Sequence, residues 1–356
     1  MNDDLKDAWD KVQDKLLFPS QDASPYYITA PRWLHSSAGI RGIYLLCHAL
    51  NRMGYEAYVV QHPFGEYKPS WTNPELRTPI LGKQQAAEHF KHGRTPIVLY
   101  PEIIPGNPLS AKVVVRWIMN FPGLLGGDTF YDNSEICFGY SKELAMAAGS
   151  PHQVLHVPTI DTRVFYPSDS QTTRHGGCFC AAKYKVVHNG KLDPITDGCF
   201  EITRQLPDSL TPKEVAELLR RSEVFYAYEN TALATEAVLC GCPAVFIPNP
   251  YLTKMIGKDE LGTDGIAWGT DPTDIERART TVTQGAINYL KTYDLFWDQL
   301  NTFVKVTQER AQAVPYADMI PVPWPPTGVK RQIFLIKKEY LRFTRKIKKR
   351  FGVSAK

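Results

Sequence analysis

The sequence predicts an α/β protein of two halves, each built on a parallel sheet, facing one another across a central cleft and followed by a basic amphipathic helix. Three observations predict it. A strand, a glycine-bearing loop, a helix and a second strand fall within the 35 residues from Tyr26 to Val60, the pattern of a right-handed βαβ unit. A second, separate alternation of strands and helices begins near Gly176. Between the two, the stretch 158–173 loses periodicity and gains Pro, Ser and Thr, which is linker chemistry.

The elements follow in order. Tyr26 to Ala30 is a short apolar strand; PRWLHSSAGIRG is a loop; Ile43 to Met53 has helical apolar spacing; Glu56 to Val60 is the second strand. Further strands are expected at Pro96 to Leu99, Val113 to Ile118 and Gln153 to Val157, with a helix at Ser141 to Ala148. In the second half, Gly176 to Cys180 and Cys199 to Thr203 read as strands. Thr211 to Arg221 reads as a helix with Thr211 as N-cap and Pro212 at its first position. Val224 to Ala227 and Ala244 to Ile247 are strands flanking a helix, Ala232 to Cys240, which Gly241 and Pro243 end. Two helices are expected at Asp274 to Leu290 and Asp294 to Ala313, before the proline-rich 315–326. The expected division is 1–157, linker 158–173, 174–313 and tail 314–356.

A chain of 356 residues with 43% hydrophobic and 22% charged residues can bury sizeable cores and is neither disordered nor fibrous. The net charge of +4 hides an asymmetry. Residues 330–356 hold eleven Lys and Arg against one acid, Glu339, which leaves the preceding 329 residues near −6. The polar start shows no secretory h-region, and no run of about 18 apolar residues occurs, so a cytoplasmic protein is expected. Seven cysteines form no disulfide framework. Cys178-x-Cys180 and Cys240-x-Cys242 lack the spacing of zinc knuckles and are expected to be core thiols.

The most informative stretch runs from Val224 to Ile247. A strand enters a small polar loop, Glu229-Asn230-Thr231, and then a helix whose N-terminal amides and dipole favour a phosphate. Glu236, about one turn inside, is expected to accept from the vicinal hydroxyls of a ribose bound beside that phosphate; the plainer alternative is an exposed helix residue, with Glu229 a neighbour of the cap.

This run, ENTALATEAVLCGCPAVFIP, resembles the C-terminal nucleotide-sugar motif of GT-B glycosyltransferases, in which an acid, a short polar loop, a second glutamate and A-x-x-x-G-x-P precede a buried strand. The segment SSAGIRGIYLLCHALNRMGYEAYVV is similar to their N-terminal glycine-rich loop and first helix. The resemblance to the retaining group within that superfamily departs at one point: six residues, not seven, separate Glu229 from Glu236. It implies two Rossmann-like domains, 1–157 binding the acceptor and 174–313 the nucleotide sugar. It also implies transfer of a sugar to a saccharide or lipid-linked saccharide, as in cell-surface polysaccharide or lipopolysaccharide synthesis, with no cofactor and no metal. Asn230, Thr231 and Ala232 would face the diphosphate, Glu236 the ribose and Glu229 the donor sugar. Lys183, then Arg204, would supply the cations that replace a metal; Lys185 is a further surface candidate. Gly39, Arg41 and Gly42 would form the loop that approaches donor phosphate or acceptor. His35, Glu102 and Asp128 are the candidates for a general base, whose identity, like retention or inversion, stays open. Trp33, Trp71 and Trp117 are sugar-stacking or core aromatics, and His48 a helix histidine with a satisfied partner.

In the tail, Ile333, Ile336, Tyr340, Phe343, Ile347 and Phe351 recur every three or four residues, giving an apolar stripe beside a basic face. Such a helix at 330–351 suits an anionic membrane surface, so a peripheral location at the inner face of the cell membrane is expected; packing back on the body is the alternative. No nucleic-acid partner is expected. A sugar-nucleotide 2-epimerase and a non-catalytic nucleic-acid- or membrane-binding module are the rival functions.

Overall fold

The computed structural model describes residues 23–64, 71–168, 173–204, 206 and 208–314; the proline-rich segment and the basic tail expected at 330–351 lie outside them. The described chain forms two five-stranded, wholly parallel sheets. The first contains β1 (Tyr26–Ala30), β2 (Ala57–Gln61), β3 (Ile97–Pro101), β4 (Val113–Ile118) and β5 (Ile136–Gly139) in the order β2-β1-β3-β4-β5. The second contains β6 (Gly177–Cys180), β7 (Phe200–Glu201), β8 (Val224–Ala227), β9 (Ala244–Phe246) and β10 (Ile266–Trp268) in the order β10-β9-β8-β6-β7. Counted from its own first strand, each sheet runs 2-1-3-4-5. Each therefore reverses direction once, between β1 and β3 and between β6 and β8, and such switch points open a crevice at the carboxyl ends of the strands.

The helices are α1 (Ala38–Arg52), α2 (Lys83–Lys91), α3 (Lys142–Ala147), α4 (Ala182–His188), α5 (Pro212–Arg221), α6 (Ala232–Leu239), α7 (Lys258–Leu261) and α8 (Pro272–Ala313). Helix α1 buries Ile43 to Leu50 against the first sheet. Helix α5 starts as expected, with Pro212 in its first turn and a reciprocal capping box between Thr211 and Glu214. Helix α6 gives way to Gly241 at φ +72, a conformation that favours glycine.

Several expectations are corrected. Gln153 to Val157 forms no strand; Val154 makes one isolated parallel bridge to Gly139, and the edge strand is Ile136–Gly139. The two C-terminal helices are a single helix of 42 residues, since residues 291–293 contain no Gly or Pro and bury Thr292 and Tyr293. Its last turns cross back to the first sheet: Phe303 stacks on Tyr26, the Tyr26 hydroxyl meets Thr307 Oγ1 at 2.8 Å, and the Gln308 side chain pairs with the Ser24 backbone. The stretch 158–168 has no regular element but is anchored by buried Ile160, Thr162 and Phe165, with Ile160 N donating to the Tyr289 hydroxyl at 2.9 Å.

Candidate functional site

The carboxyl ends of the switch-point strands carry most of the candidates. His35 follows β1 and Glu102 follows β3; Lys183 follows β6, and Glu229, Asn230 and Thr231 follow β8.

Gly39, Arg41 and Gly42 do not form a loop; they lie in the first turns of α1, capped by Ser37. A Cβ on Gly42 would sit 3.0 Å from the Trp117 ring, so this glycine lets α1 seat on a core tryptophan. Arg41 leaves the same turn toward the other half. Its Nη2 donates to Glu236 Oε1 at 2.7 Å, and its Nη1 to the His35 carbonyl at 2.5 Å. Arg204, from the segment after β7, donates through Nη2 to Glu236 Oε2 at 3.4 Å and through Nη1 to the Ser36 carbonyl. Glu236 is thus no exposed helix residue. It is 1% exposed on a helix that otherwise buries Leu233, Ala234, Ala237, Val238 and Leu239. A carboxylate there requires partners, and both guanidiniums supply them.

At the head of α6, Thr231 is the N-cap and accepts from Leu233 N at 3.3 Å; Ala232 opens the helix. Asn230 is committed to structure, since it donates to the Lys254 carbonyl at 2.9 Å and accepts from Ile256 N at 3.0 Å. Glu229 Oε2 accepts from the amides of Lys183 and Tyr184 at 2.7 and 3.2 Å, capping α4 with a carboxylate, while the Lys183 ammonium lies 3.9 Å from Oε1. Lys185 is taken up by Glu201 at 2.7 Å.

On the facing side Glu102 is 4% exposed and accepts from Met119 N at 3.1 Å. Burial pushes its carboxyl from 4.5 up to about 7, against the downward pull of the Met119 amide and of the Lys183 ammonium. His35 is held below its ordinary value, first by burial and then by Arg41 and Arg204, so its imidazole is largely neutral at pH 7. Asp128 is spent on the loop: it accepts from Gly106 N at 2.6 Å and lies 4.0 Å from Arg116. Arg116, 1% exposed, knits this region together by pairing with Glu135 at 2.7 Å and donating to the carbonyls of Ile104 and Gly106.

Trp117 is fully buried and donates to the Leu155 carbonyl at 3.1 Å, a core role; Trp33 packs edge-on against Tyr44, and its amide donates to the Trp71 carbonyl at 2.7 Å. His48 Nδ1 accepts from Arg77 N at 2.7 Å, but its Nε2 is buried without a partner among the described residues, so the expected satisfied helix histidine is met at one ring nitrogen only. The paired cysteines are buried free thiols. Among the described residues no group of three or more His, Cys, Asp or Glu gathers around one point, and no helix is long and apolar enough to cross a membrane.

The sequence missed the partners more than the residues. The Met119 amide and the bond of Arg41 to Glu236, 195 positions away, leave no local signature.

No protein-family profile matches the chain, and no curated protein matches it in sequence. Solved structures resemble it at a distance. One is WaaG, a glycosyltransferase involved in lipopolysaccharide biosynthesis, with 12% identity, a TM-score of 0.43, and coverage of 79% of this chain and 99% of that one. Another is the glycosyltransferase SnogD from Streptomyces nogalater, with 11% identity, a TM-score of 0.38, and coverage of 78% and 99%. A protein assigned as a UDP-N-acetylglucosamine 2-epimerase from Listeria monocytogenes has 14% identity, a TM-score of 0.36, and coverage of 94% and 98%. Overlaps at this level assign neither substrate nor residue roles.

Proposed function

We propose that the protein is a glycosyltransferase of GT-B architecture, moving a sugar from a nucleotide-sugar donor to a hydroxyl of a saccharide or lipid-linked saccharide. One observation carries the reading: two switch points face each other, one presenting a buried carboxyl that titrates near neutrality, the other a capped helix N-terminus with cations on either side.

The chemistry follows from that pairing. The leaving nucleoside diphosphate develops negative charge, which the head of α6, the Thr231 hydroxyl, Lys183 and the arginines beside Glu236 are suited to stabilise without a metal. Glu102, its carboxyl raised by burial to about 7, is suited to take the acceptor proton. As the sugar–phosphate bond breaks, the acceptor oxygen bonds the sugar, its proton goes to Glu102, and the diphosphate leaves with the electron pair. Burial holds the His35 imidazole neutral, and His35 lies close enough to Arg41 and Arg204 for both cations to add to this. An acceptor in surface polysaccharide or lipopolysaccharide synthesis, and recruitment to an anionic inner membrane surface by residues 330–351, accord with the basic tail.

The test is a thermal-stability panel of nucleoside diphosphates and nucleotide sugars, with and without EDTA. One base should stabilise the protein, by about 2.7 kcal/mol at a hundred times its Kd, with no effect of EDTA. No stabilisation by any of them overturns the reading.

A further inference from the structure

The two halves also meet where α7 of the second lies against the start of α3 in the first. Glu260 Oε1 accepts from Lys142 N at 2.9 Å, and the Lys142 ammonium lies 3.2 Å from Asp259 Oδ2. Just before α7, a Cβ on Gly257 would lie 4.0 Å from the His156 ring, which packs on Tyr140 with ring centres 4.4 Å apart. Helix α7 thus touches the first half at α3 and at the segment that follows it.

Each side of this contact leaves one atom unsatisfied. Glu143 Oε2, next to Lys142 on α3, and Glu260 Oε2 are both buried with no hydrogen-bond partner among the described residues. Ionised carboxylates accept and cannot donate, so two of them buried together leave oxygens stranded and repel each other. One proton changes both facts, because a protonated carboxyl donates to the neighbouring carboxylate in a charge-assisted O–H···O bond. Burial pushes the Glu260 carboxyl from 4.5 up to about 7; the Lys142 amide pulls it down, while the charges of Glu143 and Asp259 add to the rise.

The surrounding groups supply no free countercharge. The Lys142 ammonium is engaged by Asp259, and Lys258, on α7 itself, is exposed. Burial takes His156 down to about 4 and so keeps it neutral. The Tyr140 phenol is raised, first by burial and then by the Glu260 charge, and α8 presents the uncharged Asn288 and Gln299.

We propose that Glu143 and Glu260 form a proton-operated clamp between the halves: one shared proton closes it, and loss of that proton sets two carboxylates against each other and lets the halves part. None of its residues belongs to the donor or acceptor site, so the clamp governs opening of the cleft whatever substrate the cleft takes. The sign follows from the raised carboxyl. In the closed form the proton is held up to about pH 7, whereas a carboxyl released to water returns toward 4.5; closure is therefore favoured in acid and lost as pH rises through about 7.

The experiment is small-angle X-ray scattering of the full chain, without nucleotide, between about pH 5.5 and 8.5, on wild type, Glu143→Gln and Glu260→Gln. The radius of gyration of wild type should rise with pH, with its midpoint near 7. Each glutamine keeps the shape of the acid and offers an amide N–H to the remaining carboxylate, so both variants should hold the low-pH radius of wild type over the whole range. Either variant carries the test should the other not fold. A wild-type radius that does not change with pH overturns the inference. So does a rise with the same midpoint in either variant, because Glu102, which is retained there and also titrates near 7, would then account for it.

Discussion

Replacing Glu102 by glutamine should make the protein more stable and less active at once. The carboxyl is 4% exposed, and burial raises it from 4.5 to about 7. A group whose folded value is raised stabilises the fold fully only below its unfolded value, and that contribution disappears as pH rises to the folded one; the window here runs from pH 4.5 to about 7. At about 1.4 kcal/mol per tenfold, ionised Glu102 costs the fold about 3 kcal/mol above pH 7. Glutamine has the same shape, keeps an acceptor for the Met119 amide and carries no charge. Denaturant unfolding at pH 8 should therefore show Glu102→Gln more stable than wild type by about 3 kcal/mol, and by only about 1 kcal/mol at pH 5. Turnover should fall by about 10²- to 10⁴-fold if the carboxyl takes the acceptor proton. A gain equally large at both pH values, or no gain at pH 8, would refute the reasoning, because the buried charge would then not be the source of the cost.

Other substitutions test the scaffold around the site. Arg116→Met strands Glu135 and two backbone carbonyls, and chemical denaturation should show a loss of about 3–5 kcal/mol. Gly127→Ala places a methyl against the Glu102 carbonyl at a position with φ +81, so unfolding measurements should show a loss of about 2 kcal/mol or more, and turnover should fall as Glu102 is displaced. Thr231→Ala removes the cap of α6, so thermal unfolding should report a loss of about 1 kcal/mol and calorimetric titration with a nucleoside diphosphate should show weaker binding.

Much of the fold was legible because local rules and tertiary context agree. The apolar runs of β1, β4 and β8 and the Thr211-Pro212 start of α5 are where the sequence placed them. The failures have physical causes. Helix α2 buries only Ala86 and His89, too little apolar surface to mark a face. The four-residue β5 is too short to show a period, whereas Gln153 to Val157 has a strand-like pattern but pairs with β5 at Gly139 alone, through Gln153 O and Leu155 N. Of the site, position in the chain was legible and partnership was not. Glu229, Thr231 and Glu236 announced themselves by their frame before the buried strand. That Glu229 caps α4, that Asn230 ties down the chain at 254–256, and that Glu236 faces two arginines depend on pairings distant in sequence.

Glycosyl transfer from a nucleotide sugar can be followed by phosphorus NMR of wild type and Glu102→Gln incubated with the nucleotide sugar from the stability panel and a saccharide acceptor. Wild type should convert the nucleotide sugar to free nucleoside diphosphate as a new glycoside forms, while Glu102→Gln binds the donor and leaves it intact. Release of an epimerised free sugar, or a donor untouched by wild type, would mean that the protein is not a glycosyltransferase.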